Sequence, residues 1–169
     1  TKKNFLLEEP ERVPDAITCN PPYSRHHAIP AAEKAAIHSG FKQRLGLELS
    51  RLAALHVLFL VRSLEVVADG GRVAFITPSD WLDVGYGKKI KRHVLDHAQV
   101  EAIILFHDDH LFFDGALTSA AITLLRKTEP SGKPTRVIRL SEQLPSIDEV
   151  LAAVNGEPTS VALAVDEVV

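Results

Sequence analysis

Short runs of apolar residues alternate along this chain with longer segments in which polar positions recur at helical spacing. Short apolar runs bounded by polar residues, glycine or proline are typical of buried strands. The final segment, residues 160–169, is apolar and alternating, so it predicts either a strand or the beginning of a following domain. The other predicted strands are residues 16–19, 72–76, 100–106, 119–125 and 135–140, the last as a short hairpin partner.

The segments between these runs predict helices. Ser146 and Glu149 form a capping box that begins the last helix, and Gly156 ends it. In the longest predicted helix, Arg62 and Glu65 belong to a polar stripe on an otherwise apolar segment that packs deeply against the sheet. The predicted helices cover residues 30–37 with Gly40 as terminator, 51–69 with Ser50 as N-cap, 87–97, and 146–155.

The order of these elements favours an α/β layer fold with right-handed crossovers between strands. In such folds, ligands bind outside the carboxyl ends of the sheet strands. The segments Asn20–Tyr23 and Thr77–Pro78 follow strands, and the loop before Ser119 lies at the same predicted edge. We therefore expect the functional residues among these segments.

Composition limits the possible partners. The chain has 169 residues, 46% hydrophobic and 24% charged, which is ordinary for a soluble globular domain. The net charge of -3 provides no global basic field, so any contact with nucleic acid must come from a local patch or a partner domain. With Cys19 as the single cysteine, no intrachain disulfide can form, which predicts a reducing, cytoplasmic compartment. No apolar run reaches the roughly 20 residues of a membrane-spanning helix.

The segment Asn20-Pro21-Pro22-Tyr23 ends the first predicted strand and combines rigidity, acceptors and an aromatic ring. An exocyclic amine such as that of adenine is a poor nucleophile because its lone pair is delocalised into the ring. Two acceptors aimed at its N–H bonds stabilise the positive charge that develops on nitrogen during attack. The Asn20 side chain offers one acceptor, the Pro21 carbonyl offers another, and Tyr23 offers a surface for an unstacked base.

This segment resembles motif IV of amino-methyltransferases that use S-adenosylmethionine, above all the gamma-class adenine-N6 DNA methyltransferases of restriction–modification systems. The likeness extends to "NFLLEEPERVPDAITCNPPY", "GGRVAFITPSDWL" and "LFFDGALTSAAITLLRK", and it covers residues 4–127. It implies a partial Rossmann-like class I methyltransferase fold, a mixed sheet with helices on both faces. Residues 1–145 would be the C-terminal part of the catalytic domain, and residues 146–169 a terminal helix and strand or the start of another domain.

The resemblance also implies roles for individual residues. Asn20 and Pro21 would bind the target amine, and Tyr23 would stack on the target base. Phe113 would pack on the other side of the base, with Phe112 as its substitute if the register shifts by one. The cofactor-contacting residues would be Asn4 and Phe5 at the adenine, together with Asn20; the Asp usual at the first of these positions is Asn here.

The family pattern further implies partners. The chain begins at Thr1, contains no Met, and has no glycine-rich loop before its first strand, so we expect it to be part of a longer protein. The upstream half would hold the rest of S-adenosylmethionine, and the first strand would present an open edge to it. A target-recognition domain would choose the DNA site. Without the upstream half, the chain is expected to bind S-adenosylmethionine weakly or not at all.

Other readings of the sequence stay open. Motif IV also occurs in methyltransferases that act on RNA amines or on protein glutamine, although the aromatic pair at 112–113 favours a flipped base. A non-catalytic nucleic-acid-binding or assembly module is the non-enzymatic alternative. His107–His110 has a metal-like composition but no recognisable third ligand, so no metal is expected. The pair His26–His27 and the basic cluster at 88, 89, 91 and 92 are candidates for DNA contact, with solvated surface as the alternative.

Overall fold

The computed structural model describes residues 4–23, 29–50, 53–82, 87–106, 120–129, 131–140, 144–158 and 164–168. The strands within these residues are β1 (Ala16–Cys19), β2 (Arg72–Pro78), β3 (Ala98–Leu105), β4 (Ala120–Lys127), β5 (Thr135–Arg139) and β6 (Ala164–Val168). The helices are α1 (Ala31–Leu45), α2 (Leu55–Val66), α3 (Gly87–His97) and α4 (Ile147–Asn155), with a 3₁₀ turn at Ser79–Leu82.

These strands form one mixed sheet in the order β1-β2-β4-β3-β5-β6. The pairs β1–β2 and β3–β5 are parallel, and the remaining neighbours are antiparallel. β5 was expected as a hairpin partner of β4, but it lies parallel to β3 on the other side of that strand. β6 pairs with β5, so the terminal strand extends the same sheet; the division at residue 145 stays a prediction.

Helices cover both faces of the sheet. On one face, α1, α2 and α3 bury an apolar core against β2 that includes Phe41, Val61 and Phe75. On the other face, α4 packs Ala153 against Ile138 and neighbouring residues of β3 and β5. The side chains alternate between these two cores because successive residues of a strand point to opposite faces. The predicted capping box at Ser146 and the end of α4 at Gly156 are confirmed.

The predicted limits of the first two helices are wrong. α1 runs through Gly40 and ends at Gly46, whose φ of 63° places it in the left-handed region that glycine adopts easily. The Gly46 N–H then donates to the Lys42 carbonyl at 3.0 Å, and the Leu47 N–H donates to the Phe41 carbonyl at 3.4 Å. α2 begins at Leu55 with Ala54 at the N-cap position, so Ser50 does not cap it. A residue with a high preference for the N-cap position therefore does not by itself determine where a helix begins.

The polar stripe predicted on α2 includes an arginine that lies inside the protein. Arg62 has no solvent-exposed side-chain area, and its guanidinium pairs with Glu65 one turn later at 2.8 Å. Glu65 in turn binds Arg44 of α1. Burial raises the pKa of Glu65, but hydrogen bonds from Arg44 and Arg62 outweigh it and hold the pKa below its ordinary value. These charges therefore tie the elements of the α-helical face to one another.

Candidate active site

The segments of the predicted site that follow β1 and β2 lie at one edge of the sheet. Asn20 directly follows β1, and Pro78 ends the parallel strand β2, so both carboxyl ends lie at this edge. Pro78 pairs with Ala120 at the start of β4, and Leu105 at the end of β3 pairs with Ala121. The chain therefore also leaves β3 and enters β4 here. Adjacent strands lie about 4.8 Å apart, which places the start of β4 roughly 10 Å from β1.

The side chains of Asn20 and Tyr23 are joined by a hydrogen bond. The Tyr23 hydroxyl donates to Asn20 Oδ1 over an oxygen–oxygen distance of 2.5 Å. The carbonyl oxygen of Ile76, in β2, lies 3.3 Å from the same hydroxyl. Tyr23 thereby folds back over the end of β2 and fixes the Asn20 amide. A carbonyl oxygen has two lone pairs, so Oδ1 retains one acceptor position.

The titratable groups of this segment are neutral at neutral pH. Burial raises the pKa of the Tyr23 phenol, and the neighbouring Cys19 raises it further. Burial also raises the pKa of the Cys19 thiol above its ordinary value of 9.0. A protonated thiol is a poor nucleophile. The segment thus offers hydrogen-bonding groups and a ring, and Cys19 is unsuited to covalent catalysis.

The first two residues of the motif differ in exposure. Asn20 is exposed, whereas Pro21 is buried, which anchors the backbone beside the amide. Pro21 precedes a second proline, which restricts it to extended backbone conformations. Within the described residues, no hydrogen bond reaches the Pro21 carbonyl oxygen. That oxygen is therefore available as a second acceptor beside Asn20.

His56 is a residue of this site that sequence reasoning missed. Its ring packs against the Tyr23 ring in an edge-to-face arrangement, with 6.3 Å between centroids and 77° between planes. Only 3% of His56 is exposed. The single signal in the sequence is one polar residue within the apolar run Leu55–Val61, which does not identify its partner. His56 supports the tyrosine ring from the first turn of α2.

Phe5 meets the same helix one turn later. Its ring stacks on Phe59, with 5.7 Å between centroids and 21° between planes. His56 and Phe59 are three residues apart, so they lie on one face of α2 with Cβ atoms about 5–6 Å apart. Through α2, the structure brings Tyr23 and Phe5, two predicted site residues, to neighbouring positions.

Asn4 is fixed by hydrogen bonds on both sides of its amide. Its Nδ2 donates to Glu33 Oε1 of α1 at 2.6 Å, and its Oδ1 accepts from the Leu6 N–H at 3.1 Å. An aspartate here would place its carboxylate beside that of Glu33, and like charges at this distance repel. The Glu33 carboxylate therefore suits the asparagine at this position better than the aspartate that the resemblance led us to expect. One N–H of the amide remains for another partner.

Comparison with known proteins identifies the family of the chain. Residues 8–113, more than half of the sequence, match the Eco57I restriction-modification methylase family. The chain belongs to this family. It is 37% identical over 123 residues to the type II methyltransferase M.XamI of Xanthomonas campestris pv. amaranthicola, covering 73% of this chain and 23% of that protein. It is 31% identical over 150 residues to M.AccI of Acinetobacter calcoaceticus, and this match covers 88% of this chain and 27% of that protein.

A solved structure has a similar fold. A Listeria monocytogenes protein assigned to the class I S-adenosylmethionine-dependent methyltransferases aligns with a TM-score of 0.64 at 21% identity, over 88% of this chain and 44% of that one. The described strands and helices thus adopt the class I methyltransferase fold. The chain spans about a quarter of the length of the two type II relatives.

The remaining candidates of the sequence analysis are less informative. Phe112, Phe113, the pair 26–27 and residues 107–110 lie outside the described residues. In the basic cluster, Lys91 donates to a backbone carbonyl at 2.6 Å and Arg92 pairs with Asp96 at 3.0 Å, while Lys88 and Lys89 are exposed. In the described part of the chain, no three acidic, His or Cys side chains are placed to hold a metal. Nor is any helix there long and apolar enough to cross a membrane.

Proposed function

We propose that this methylase chain is part of the catalytic domain of a cytoplasmic, site-specific DNA methyltransferase that methylates the exocyclic N6 amine of adenine. The observation that carries the proposal is the amide of Asn20, held by the Tyr23 hydroxyl beside the carbonyl of the buried Pro21, which accepts no hydrogen bond from the described residues. These are two acceptors for one amine at the ligand-binding edge of the sheet.

The chain's own residues act on the amine by hydrogen bonding. Asn20 Oδ1 and the Pro21 carbonyl accept its two N–H groups and favour the tetrahedral nitrogen that forms during attack. Because both acceptors are held in place beforehand, they need little reorganisation as charge develops. The raised pKa of the Cys19 thiol fits direct transfer without a covalent enzyme intermediate.

The residues present fit the adenine end of S-adenosylmethionine. Phe5 stacked on Phe59 supplies an aromatic surface, and Asn4 retains an N–H donor beside it. A cavity of about 360 Å³ borders Phe5 and is also lined by Glu8, Glu9, Pro10 and Glu11. Such a volume lies at the low end of the range for small-molecule sites. When bound, this cofactor supplies a methyl group on a sulfonium centre, which is electrophilic.

The target base would lie against Tyr23. A flipped adenine needs a flat surface, and stacking on an aromatic side chain contributes about 1–3 kcal/mol per base. His56 holds the edge of the Tyr23 ring, which leaves that surface preorganised. Phe113, or Phe112 in a shifted register, would cover the opposite side of the base.

Further parts of a longer polypeptide would complete the site. Within the described residues, β1 pairs with β2 alone, so its outer edge is open to another strand. We assign to this edge the half of the domain that holds the ribose and methionine of the cofactor. A separate target-recognition domain would supply sequence specificity, consistent with a chain net charge of -3.

The experiment uses a complete methyltransferase that contains this chain, duplex DNA and methyl-labelled S-adenosylmethionine, followed by nucleoside analysis. The expected product is N6-methyladenine in DNA. Label in RNA or in protein glutamine would favour the second enzyme class. Absence of any methyl transfer by the complete protein, with DNA binding retained, would favour a non-catalytic binding or assembly module.

A further inference from the structure

A buried arginine links the long helix to the N-terminal segment. Arg62 Nε donates to the carbonyl of Phe5 at 3.1 Å, and its Nη2 donates to the carbonyl of Glu8 at 2.7 Å. The same Nη2 lies 3.0 Å from Glu9 Oε1. A guanidinium with no solvent exposure is stable only when such partners satisfy it. The partners are 53–57 residues away in sequence, so the arginine closes a long-range contact.

The opposite side of the segment is held by α1. Glu33 accepts the hydrogen bond from Asn4 Nδ2 at 2.6 Å. Between these two attachments the segment forms a turn, because the N–H groups of Leu7 and Glu8 both donate to the Asn4 carbonyl. Arg62 therefore fixes the backbone of the turn, and Glu33 fixes the side chain at its start. Together these two attachments fix the orientation of Phe5 within the turn.

We infer that Arg62 and Glu33 are positioning residues of the cofactor site: held from α2 and α1, the turn Asn4–Glu9 presents Phe5 and Asn4 to the adenine of the cofactor. The inference rests on the proposed function. Neither residue needs to touch the cofactor. Both set the geometry of the residues that do, so cofactor affinity depends on them more than the transfer step does.

A purely structural role predicts a different outcome. Arg62 also pairs with Glu65, so its loss destabilises the helical face in either case. A structural residue would change unfolding and all kinetic constants together. A positioning residue of the cofactor site raises KM for S-adenosylmethionine while kcat and KM for DNA stay nearly constant.

The test compares Arg62→Lys and Glu33→Ala in a complete methyltransferase that contains this chain. Lysine keeps the charge but cannot bind both carbonyls, and alanine removes the partner of Asn4 at a helical position that alanine favours. A turn that is no longer held in place loses contacts to the cofactor. We expect KM and Kd for S-adenosylmethionine to rise about tenfold, comparable to one lost hydrogen bond to a charged group, while kcat stays within about twofold. Matched controls are Arg72→Lys and Glu101→Ala, an ion pair at 3.2 Å at the amino end of β2.

The outcomes separate the two proposals. Unchanged KM for the cofactor in Glu33→Ala, or equal changes in every constant, would overturn the inference while methylation by the parent protein still supports the proposed function. If Arg62→Lys does not fold, Glu33→Ala decides alone, because Glu33 is only half-buried on α1. A parent protein without cofactor binding or methyl transfer overturns the proposed function and this inference with it.

Discussion

The Tyr23 hydroxyl and Asn20 Oδ1 lie 2.5 Å apart, so the tyrosine of the motif binds its asparagine as well as presenting a ring. A neutral phenol has a single proton to donate, and the raised pKa of Tyr23 keeps that proton in place at neutral pH. In the proposed function, the two parts of the side chain therefore have separable roles: the ring would contact the base, and the hydroxyl orients the amide.

Tyr23→Phe separates these effects. The ring stays, but the amide of Asn20 loses the hydrogen bond that orients it, which contributes roughly 0.5–1.5 kcal/mol. We expect the single-turnover rate of methyl transfer to fall roughly threefold to tenfold, with capture of the flipped base unchanged in a 2-aminopurine fluorescence assay. Tyr23→Ala is the control and should weaken base capture as well. An unchanged rate in Tyr23→Phe would show that the hydroxyl does not orient Asn20.

His56 provides a test of the support for the tyrosine ring. Edge-to-face aromatic pairs contribute about 0.5–1.5 kcal/mol beyond their buried area. His56→Leu should therefore weaken 2-aminopurine capture roughly twofold to tenfold, whereas His56→Phe retains an aromatic edge and most of the capture. Equal capture by both variants would indicate that the His56–Tyr23 contact does not matter for the base.

The sequence predicted the strands and the fold class more successfully than the side-chain network around them. The motif after residue 19 could be found because it combines unusual residues directly after an apolar run. His56, Glu33 and Arg62 could not be found, since their meaning depends on partners 29–57 residues away. Helical spacing alone assigned Arg62 to a polar stripe, and only the fold shows that it is buried and donates to backbone carbonyls of the N-terminal segment.

Gly71 joins α2 to β2 where backbone passes closely on both sides. A Cβ at this position would lie 2.7 Å from the Asp15 carbonyl oxygen and 2.8 Å from that of Ala68. Because backbone cannot move aside cheaply, Gly71→Ala should lower the free energy of unfolding by about 1–3 kcal/mol in urea denaturation. Gly40→Ala is the control, since its Cβ would meet no backbone and only the guanidinium of Arg44, which would have to shift within its ion pair with Glu65.

Gly40 lies inside α1, where alanine is favoured by roughly 0.5–1 kcal/mol, and this gain acts against the cost of moving Arg44. The control should therefore change the free energy of unfolding little. Similar effects of the two substitutions would contradict the close approach at Gly71.

His93 predicts a pH dependence of stability. Burial, followed by the charge of His97, lowers its pKa below the ordinary value of 6.5, although Asp96 and Glu65 act in the opposite direction. The unfolded chain therefore binds this proton at a higher pH than the folded protein does. The stabilisation that comes from neutral His93 is fully present above pH 6.5 and decreases as the pH falls below that value. The decrease ends once the pH lies below the pKa of His93 in the folded protein.

Urea denaturation at a series of pH values checks this prediction, with His93→Gln expected to lose the decrease just below pH 6.5. The contribution of Glu65 lies in a separate range. Its pKa is lowered from 4.5, so its stabilisation is lost only as the pH falls below that value. If the free energy of unfolding decreases equally in His93→Gln and in the parent protein, groups other than His93 cause the pH dependence.

The proposed function depends above all on the role of Asn20 as a hydrogen-bond acceptor for the target amine. Asn20→Ala in a complete methyltransferase containing this chain, measured by single-turnover methyl transfer together with titration of S-adenosylmethionine, tests it most directly. The account predicts a loss of transfer of about a hundredfold or more. It also predicts a cofactor Kd within about twofold of the parent value. Transfer at the parent rate, or an equal loss of cofactor affinity, would contradict it.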